Sequence, residues 1–344
     1  MGTYLKLESY DTVSDYKKRK TGIQHKTGNL VISRKQLKRY TLSLGDYAGH
    51  VVSPAGKSFY RSIIDLALKE TEDANDSYYY MSEDYYLAEP TFKVMISFFM
   101  GMVSARVIAE NEFQIPLLFH LSDSSRIQYT LGNDNFVPDF FGVWKDKASG
   151  KYMPCLFEAK GQSSNHYVDN VIIEHAKEQL DNISQIKIRG MGTTGSMTTF
   201  VASEIKKQVA TSSFEHGTTL SEKKWLLCNI DPNEITGEDS LEIDVNKETK
   251  AYYDQILSVM HNAQTGNYRH QTERYGNKVY ILVEQNGECI GIQKDVYDVV
   301  TASDNERNMK SLYSEIIPIL KENKVVNTDT YSIGLDGVIY VERR

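Results

Sequence analysis

The sequence predicts an α/β protein. A mixed β-sheet flanked by helices occupies the middle of the chain, and an additional C-terminal α/β region follows it. Three observations carry this expectation. From residue 90 to 203, segments with helical apolar spacing bracket short apolar runs of strand length. Two of those runs, 136–144 and 153–160, are joined by a polar, glycine-containing stretch at 145–151 that reads as a hairpin turn. Beyond a polar, acidic stretch at 232–244, helix and strand patterns begin to alternate again.

Residues 1–60 read as short strands and turns, with Leu30-Val31-Ile32 entering a strand after Lys26-Thr27-Gly28-Asn29. Residues 70–89 hold Glu70, Glu72, Asp73, Asp76, Glu83, Asp84 and Glu89, and such a run of like charge reads as a solvated linker. Pro90 suits the first turn of a helix. Met95, Phe98, Phe99, Met102, Val103 and Val107 then place apolar side chains on several faces, as in a helix covered on most sides. Strands are expected at 115–119, 136–144 and 153–160, a helix over 168–188, and strands at 198–203 and 225–230. The C-terminal region predicts a helix at 247–263 and a hairpin of 279–283 with 289–292 around Asn286-Gly287. A helix at 309–320 and strands near Tyr331 and at 338–341 complete it. The chain thus divides into a basic N-terminal segment and linker (1–87), a central unit (88–232), and a C-terminal region for substrate or partner binding (233–344).

Composition narrows the function classes. With 40% hydrophobic and 25% charged residues the balance is that of a soluble globular protein. Cys155, Cys228 and Cys289 are too few and too scattered for a disulfide framework or a zinc site, and are expected as reduced thiols of a cytoplasmic protein. Lys93 and Arg106 interrupt the most apolar stretch, 92–109, which falls short of the roughly 20 residues a bilayer needs, so a buried helix is expected there and no membrane partner. The N-terminus is polar from Thr3 onward, without a visible secretory signal. The net charge of −7 argues against a chain that simply coats nucleic acid. Yet residues 1–45 carry ten basic side chains against three acidic ones, a local +7 that leaves −14 elsewhere, and such a segment is one way to attract phosphate. No histidine pair has metal-ligand spacing. His166 reads as an exposed loop residue and His175 as a helix residue at the edge of the core. No glycine-rich loop ends in Lys-Ser/Thr, so an ATP-driven step would belong to a partner chain.

The chemistry-bearing feature is Pro138-Asp139 followed by Glu158-Ala159-Lys160. Side chains alternate along a strand, so Glu158 and Lys160 share one face. If 136–144 and 153–160 pair as a hairpin, Asp139 lies beside Glu158. Two close carboxylates repel, and a hard divalent cation relieves the repulsion. Mg²⁺, with Mn²⁺ able to substitute, takes oxygen ligands, here Asp139, Glu158 and the carbonyl of Ala159, and keeps several waters. Lys160 would then orient or deprotonate a water, or stabilise a pentavalent phosphate.

These residues resemble the PD-(D/E)XK nuclease superfamily, whose restriction-endonuclease-like fold has the same order of core elements. The resemblance spans about residues 88–232. It implies Asp139, Glu158, Lys160 and Gln179 as catalytic residues, Gln179 because several branches carry a glutamine on the following helix. It also implies a Mg²⁺-dependent deoxyribonuclease of a restriction, anti-phage defence or mobile-element system, acting on DNA as a homodimer or beside a separate ATPase or helicase chain. Many members take a further acid from the first core helix. Here no acid lies between Pro90 and Ala109, and Glu89, Glu110 and Glu112 are the nearest alternatives. Two other classes stand beside the nuclease reading: a catalytically inactive nucleic-acid-binding or scaffold subunit on the same fold, and a metal hydrolase acting on another substrate.

Overall fold

In a computed structural model the chain is described at residues 3–19, 25–44, 53–71, 77–121, 127–130, 137–163, 167–191, 196–232, 237–262, 270–285, 287–303 and 309–343. It is mixed α/β, and a large mixed sheet flanked by helices forms its centre. The seven strands of that sheet are β1 (Thr3–Tyr10), β2 (Lys26–Ile32), β3 (Leu118–His120), β4 (Phe140–Lys145), β5 (Tyr152–Gly161), β6 (Lys206–Phe214) and β7 (Trp225–Ile230), in the order β2-β1-β7-β6-β5-β4-β3. The pairs β1–β7 and β5–β6 are parallel and the rest antiparallel.

Helix α1 (Arg34–Tyr40) follows β2. Helices α2 (Pro90–Asn111) and α3 (Asn170–Asp181) cover opposite faces of the sheet. The core on the α2 side holds Phe99, Met100 and Val103 against Cys155, Phe157 and Ala159. The core on the α3 side holds Ile173, Ala176 and Leu180 against Leu156 and Phe141. Alternation along β5 therefore sends Ala159 toward α2, and Glu158 and Lys160 toward α3. Among the described residues α2 is the one helix long and apolar enough to cross a bilayer, and 72% of its most apolar window is buried within the protein.

Two smaller sheets complete the layers. Met197–Val201, Ile183–Arg189, Asp239–Asp244 and Ile127–Thr130 form one. The other is a six-stranded antiparallel sheet of Gln271–Tyr275, Lys278–Gln285, Glu288–Gln293, Val338–Glu342, Tyr331–Ile333 and Val326–Asn327. Helices α4 (Val245–Asn262) and α5 (Leu312–Leu320) lie in this C-terminal part, with Lys294–Ala302 as an additional helix.

Several expectations are corrected. The helix predicted over 168–188 stops at Asp181, and 183–189 is a strand. A register shift opposite Ser184 resets the alternation, so Ile183, Ile186 and Ile188 all turn inward. That spacing of three imitates a helix. The strand at 198–203 exists as Met197–Val201 but belongs to the smaller sheet. The strand that pairs with β5 is β6, which sequence reading missed because Lys206-Lys207-Gln208 and Thr211-Ser212-Ser213 offer no apolar run. The acidic linker at 70–89 includes a short hairpin, Leu68–Glu70 with Tyr79–Met81, and a helix, Glu83–Leu87. The boundary at residue 87 does not part the sheet, because β1 is hydrogen-bonded to β7. The acidic boundary at 232–244 contains Asp239–Asp244, which pairs with Ile183–Arg189. Phe136, His166 and Asn286 lie outside the described residues.

Candidate active site

Asp139 sits immediately before β4, and Glu158, Ala159 and Lys160 lie near the end of β5. The antiparallel register pairs Phe140 with Phe157, which sets Asp139 beside Glu158. The side chains then interlock. The Asp139 amide donates to Glu158 Oε2 at 3.1 Å, and the Ala159 amide donates to Asp139 Oδ2 at 2.8 Å. Lys160 Nζ donates to Glu158 Oε1 at 2.5 Å and to Gln179 Oε1 of α3 at 3.0 Å. A residue's N–H and C=O leave an extended strand on the same edge. The Ala159 carbonyl therefore leaves on the edge where Asp139 stands.

Two glycines let α2 press on this strand end. A Cβ on Gly161 would fall 1.6 Å from the Ser97 carbonyl oxygen, and one on Gly101 would fall 2.8 Å from the Gly161 nitrogen. Only a bare backbone fits a contact this close. The helix thereby fixes the strand one residue past Lys160.

Burial and charge set the chemistry. Glu158 is 1% exposed, Asp139 is half-buried and the Lys160 side chain is 22% exposed, so the group opens outward past Lys160 and Asp139. Burial first, and the adjacent Asp139 charge second, push the Glu158 carboxyl up to about 8, against the opposing pull of Lys160. Two carboxylates face one ammonium. A divalent cation placed between them would relieve the repulsion between Asp139 and Glu158. The donor set fits such an ion through the Asp139 and Glu158 oxygens and the Ala159 carbonyl. Among the described residues no group of three or more His, Cys, Asp or Glu side chains converges to hold one.

The three acids considered as a further ligand have other partners or another place. Glu110 is fully buried on α2 and accepts from Arg39 Nη2 at 2.6 Å, Tyr40 OH at 2.6 Å and the Leu335 amide at 3.1 Å. Glu89 caps α2 through the amides of Thr91 and Phe92. Glu112 is exposed at the other end of that helix. All three belong to the helix on the Ala159 face, away from the face that Glu158 and Lys160 share. His175 is exposed on α3 and faces Glu178 at 3.4 Å.

Among the described residues, six basic side chains of the N-terminal segment have acidic partners. Lys6 pairs with Glu8 and Glu215, Lys17 with Glu174, Arg34 with Asp65 and Glu70, and Lys35 with Glu342. Lys38 pairs with Asp65, Glu288 and Glu342, and Arg39 with Glu110 and Asp336. Most of the local excess of +7 is thus balanced inside the molecule by acids distant in sequence.

Sequence reasoning missed a buried charged residue on the strand beside β5. Lys207 of β6 lies opposite Leu156 of β5 and is 5% exposed. Its ammonium has no hydrogen-bond partner among the described residues, and burial pushes it down to about 8. No sequence signal marks it, since a Lys-Lys pair before a polar stretch reads as surface. The chain matches no described protein family, no curated protein and no solved structure.

Proposed function

We propose that this chain is a metal-dependent endonuclease that hydrolyses phosphodiester bonds in DNA on a restriction-endonuclease-like core. One observation carries the reading. Asp139, Glu158, Lys160 and Gln179, drawn from three elements, form a single hydrogen-bonded group in which a buried carboxylate is held with less positive charge than it needs. Asp139, Glu158 and the Ala159 carbonyl would be the ligands for Mg²⁺ or Mn²⁺. When bound, the ion acts as a Lewis acid toward the phosphate and acidifies a water. Lys160 is the chain's own group for orienting that water and handling its proton, and it is partly exposed where a backbone phosphate can approach. Gln179 accepts a second hydrogen bond from the ammonium and helps hold it in place. Three buried free thiols support a cytoplasmic setting, and a restriction, anti-phage or mobile-element role follows from the same resemblance.

The test is cleavage of supercoiled, linear and single-stranded DNA, and of RNA, with Mg²⁺ or Mn²⁺. Lys160→Ala and Glu158→Ala are each expected to lower the rate by about 10²-fold or more. Equal activity of these variants and the wild type would remove the enzyme reading. The inactive-scaffold reading rests on the missing third acidic ligand. It predicts DNA retention without cleavage under every metal condition.

A further inference from the structure

Away from the candidate site, the other end of the β4–β5 hairpin meets the C-terminal region and leaves a cleft of about 200 Å³. Its apolar walls are Val143 of β4, Tyr152 of β5, Tyr313, Ile317 and Leu320 of α5, and Leu335, with Pro116, Gln114 and Asn323 beside them. Val143, Tyr313, Leu320 and Leu335 are buried, so the walls are formed by the edges of the cores themselves and not by mobile surface chains. For scale, a cavity of about 150 Å³ holds a benzene ring. An apolar group that displaces poorly held water from the apolar walls gains affinity.

The rim adds charge of one sign. Lys145 and Lys321 stand at the mouth, both exposed, and neither makes an ion pair among the described residues. Lys321 lies with its ammonium 5.3 Å from the Tyr152 ring, a cation–π contact that places it over the cleft wall. Elsewhere Lys38, Lys177, Lys250 and Lys294 find carboxylates. Two lysines without acids beside an apolar cleft define a ligand with an apolar body and an acidic end.

We infer that this cleft is a binding site for a small amphipathic anion, a ring-sized apolar group carrying one carboxylate or comparable acid. The apolar part enters between Tyr152, Tyr313 and Ile317, and the acid meets Lys145 and Lys321. Such a ligand would bridge the β4–β5 hairpin and α5, tying the central sheet to the C-terminal region.

The experiment is calorimetric titration of the full chain with 4-phenylbutyrate and with its neutral counterpart 4-phenylbutanol. The acid is expected to bind saturably at one site, about tenfold more tightly than the alcohol. The double variant Lys145→Ala/Lys321→Ala should erase that preference and leave alcohol binding unchanged. Ile317→Trp should fill the cleft and abolish binding of both, with the lysine variant keeping the test intact if the tryptophan disturbs folding. No saturable binding, equal affinity for acid and alcohol, or binding indifferent to the lysines overturns the inference.

Discussion

Two ionic clusters in this molecule put an aspartate–glutamate pair to opposite ends. In the first, Glu110 and Asp336 face Arg39 and Arg106. Arg39 Nη2 lies 2.6 Å from Glu110, Arg39 Nη1 lies 3.3 Å from Asp336, and Arg106 Nη2 lies 3.1 Å from Asp336. Tyr40 and Tyr252 donate a further bond at 2.6 Å to Glu110 and Asp336, respectively. Two acids meet two guanidiniums, and the lone pairs are largely satisfied. Burial acts to raise the Glu110 carboxyl, but Arg39, Arg106 and the bonds from Arg39 and Tyr40 outweigh it, and its pKa is lowered. In the second cluster Asp139 and Glu158 face Lys160 alone, and the Glu158 carboxyl is raised to about 8. Balanced charge makes a fixed joint between α1, α2 and the Gly334–Gly337 turn. Unbalanced charge leaves a buried carboxyl with a raised pKa.

The largest expected effect comes from breaking the balanced cluster. Arg39→Ala strands Glu110 in a dry interior and is expected to lower unfolding stability by about 3–5 kcal/mol in denaturant titration. Lys160→Ala should change stability by no more than about 1 kcal/mol at neutral pH, because Glu158 is already raised and takes up a proton instead of remaining a buried anion. If the two variants lose stability equally, the contrast between joint and site disappears.

The pH dependence of metal-free protein sharpens the comparison. Glu158 is raised on folding, so its ionisation opposes the fold. The penalty is absent below the ordinary value of 4.5, grows as pH rises, and is complete above about 8. Lys207 acts in the neighbouring window. Its pKa falls from 10.5 to about 8 on folding, so its penalty is complete below about 8 and is relieved as pH rises toward 10.5. Denaturation curves in chelator are therefore expected to show stability falling between pH 5 and 8, with Glu158 accounting for on the order of a few kcal/mol. Glu158→Gln should flatten that descent and leave the recovery above pH 8. Superimposable pH profiles for wild type and Glu158→Gln would show that Glu158 is not strained by its surroundings.

The smallest expected effect is at Gln179. Its contact with Lys160 orients the ammonium without touching the carboxylates, so Gln179→Ala should cost about tenfold in cleavage rate and leave the stability profile intact. A loss as large as that of Lys160→Ala would assign the glutamine a direct part in the chemistry.

What was legible in the sequence follows its local periodicities. The long apolar helix from Pro90, the hairpin carrying Asp139 and Glu158, and the presence of a helix at Gln179, though not its end, could be read from spacing and turn residues. Elements held by long-range pairing were not. β6 is polar along much of its length and is a strand because β5 and β7 satisfy its backbone on both edges. The strand 183–189 was hidden by a bulge that imitates helical spacing. The basic N-terminal segment read as a phosphate-binding arm because its acids, among them Glu110, Glu215, Glu288, Glu342 and Asp336, lie far along the chain.

The sequence by itself determined that Glu158 and Lys160 share a strand face, since alternation along an extended chain leaves no other arrangement. It also determined which residue types could meet a metal and a phosphate. Only the tertiary structure decided that the Asp139 carboxylate reaches the Ala159 amide, that Gln179 reaches Lys160, and that Glu110 is committed to Arg39. The physical reason is range. Alternation and capping act between neighbours in the chain, whereas the balance of a buried charge depends on every group that packing brings within a few ångströms of it.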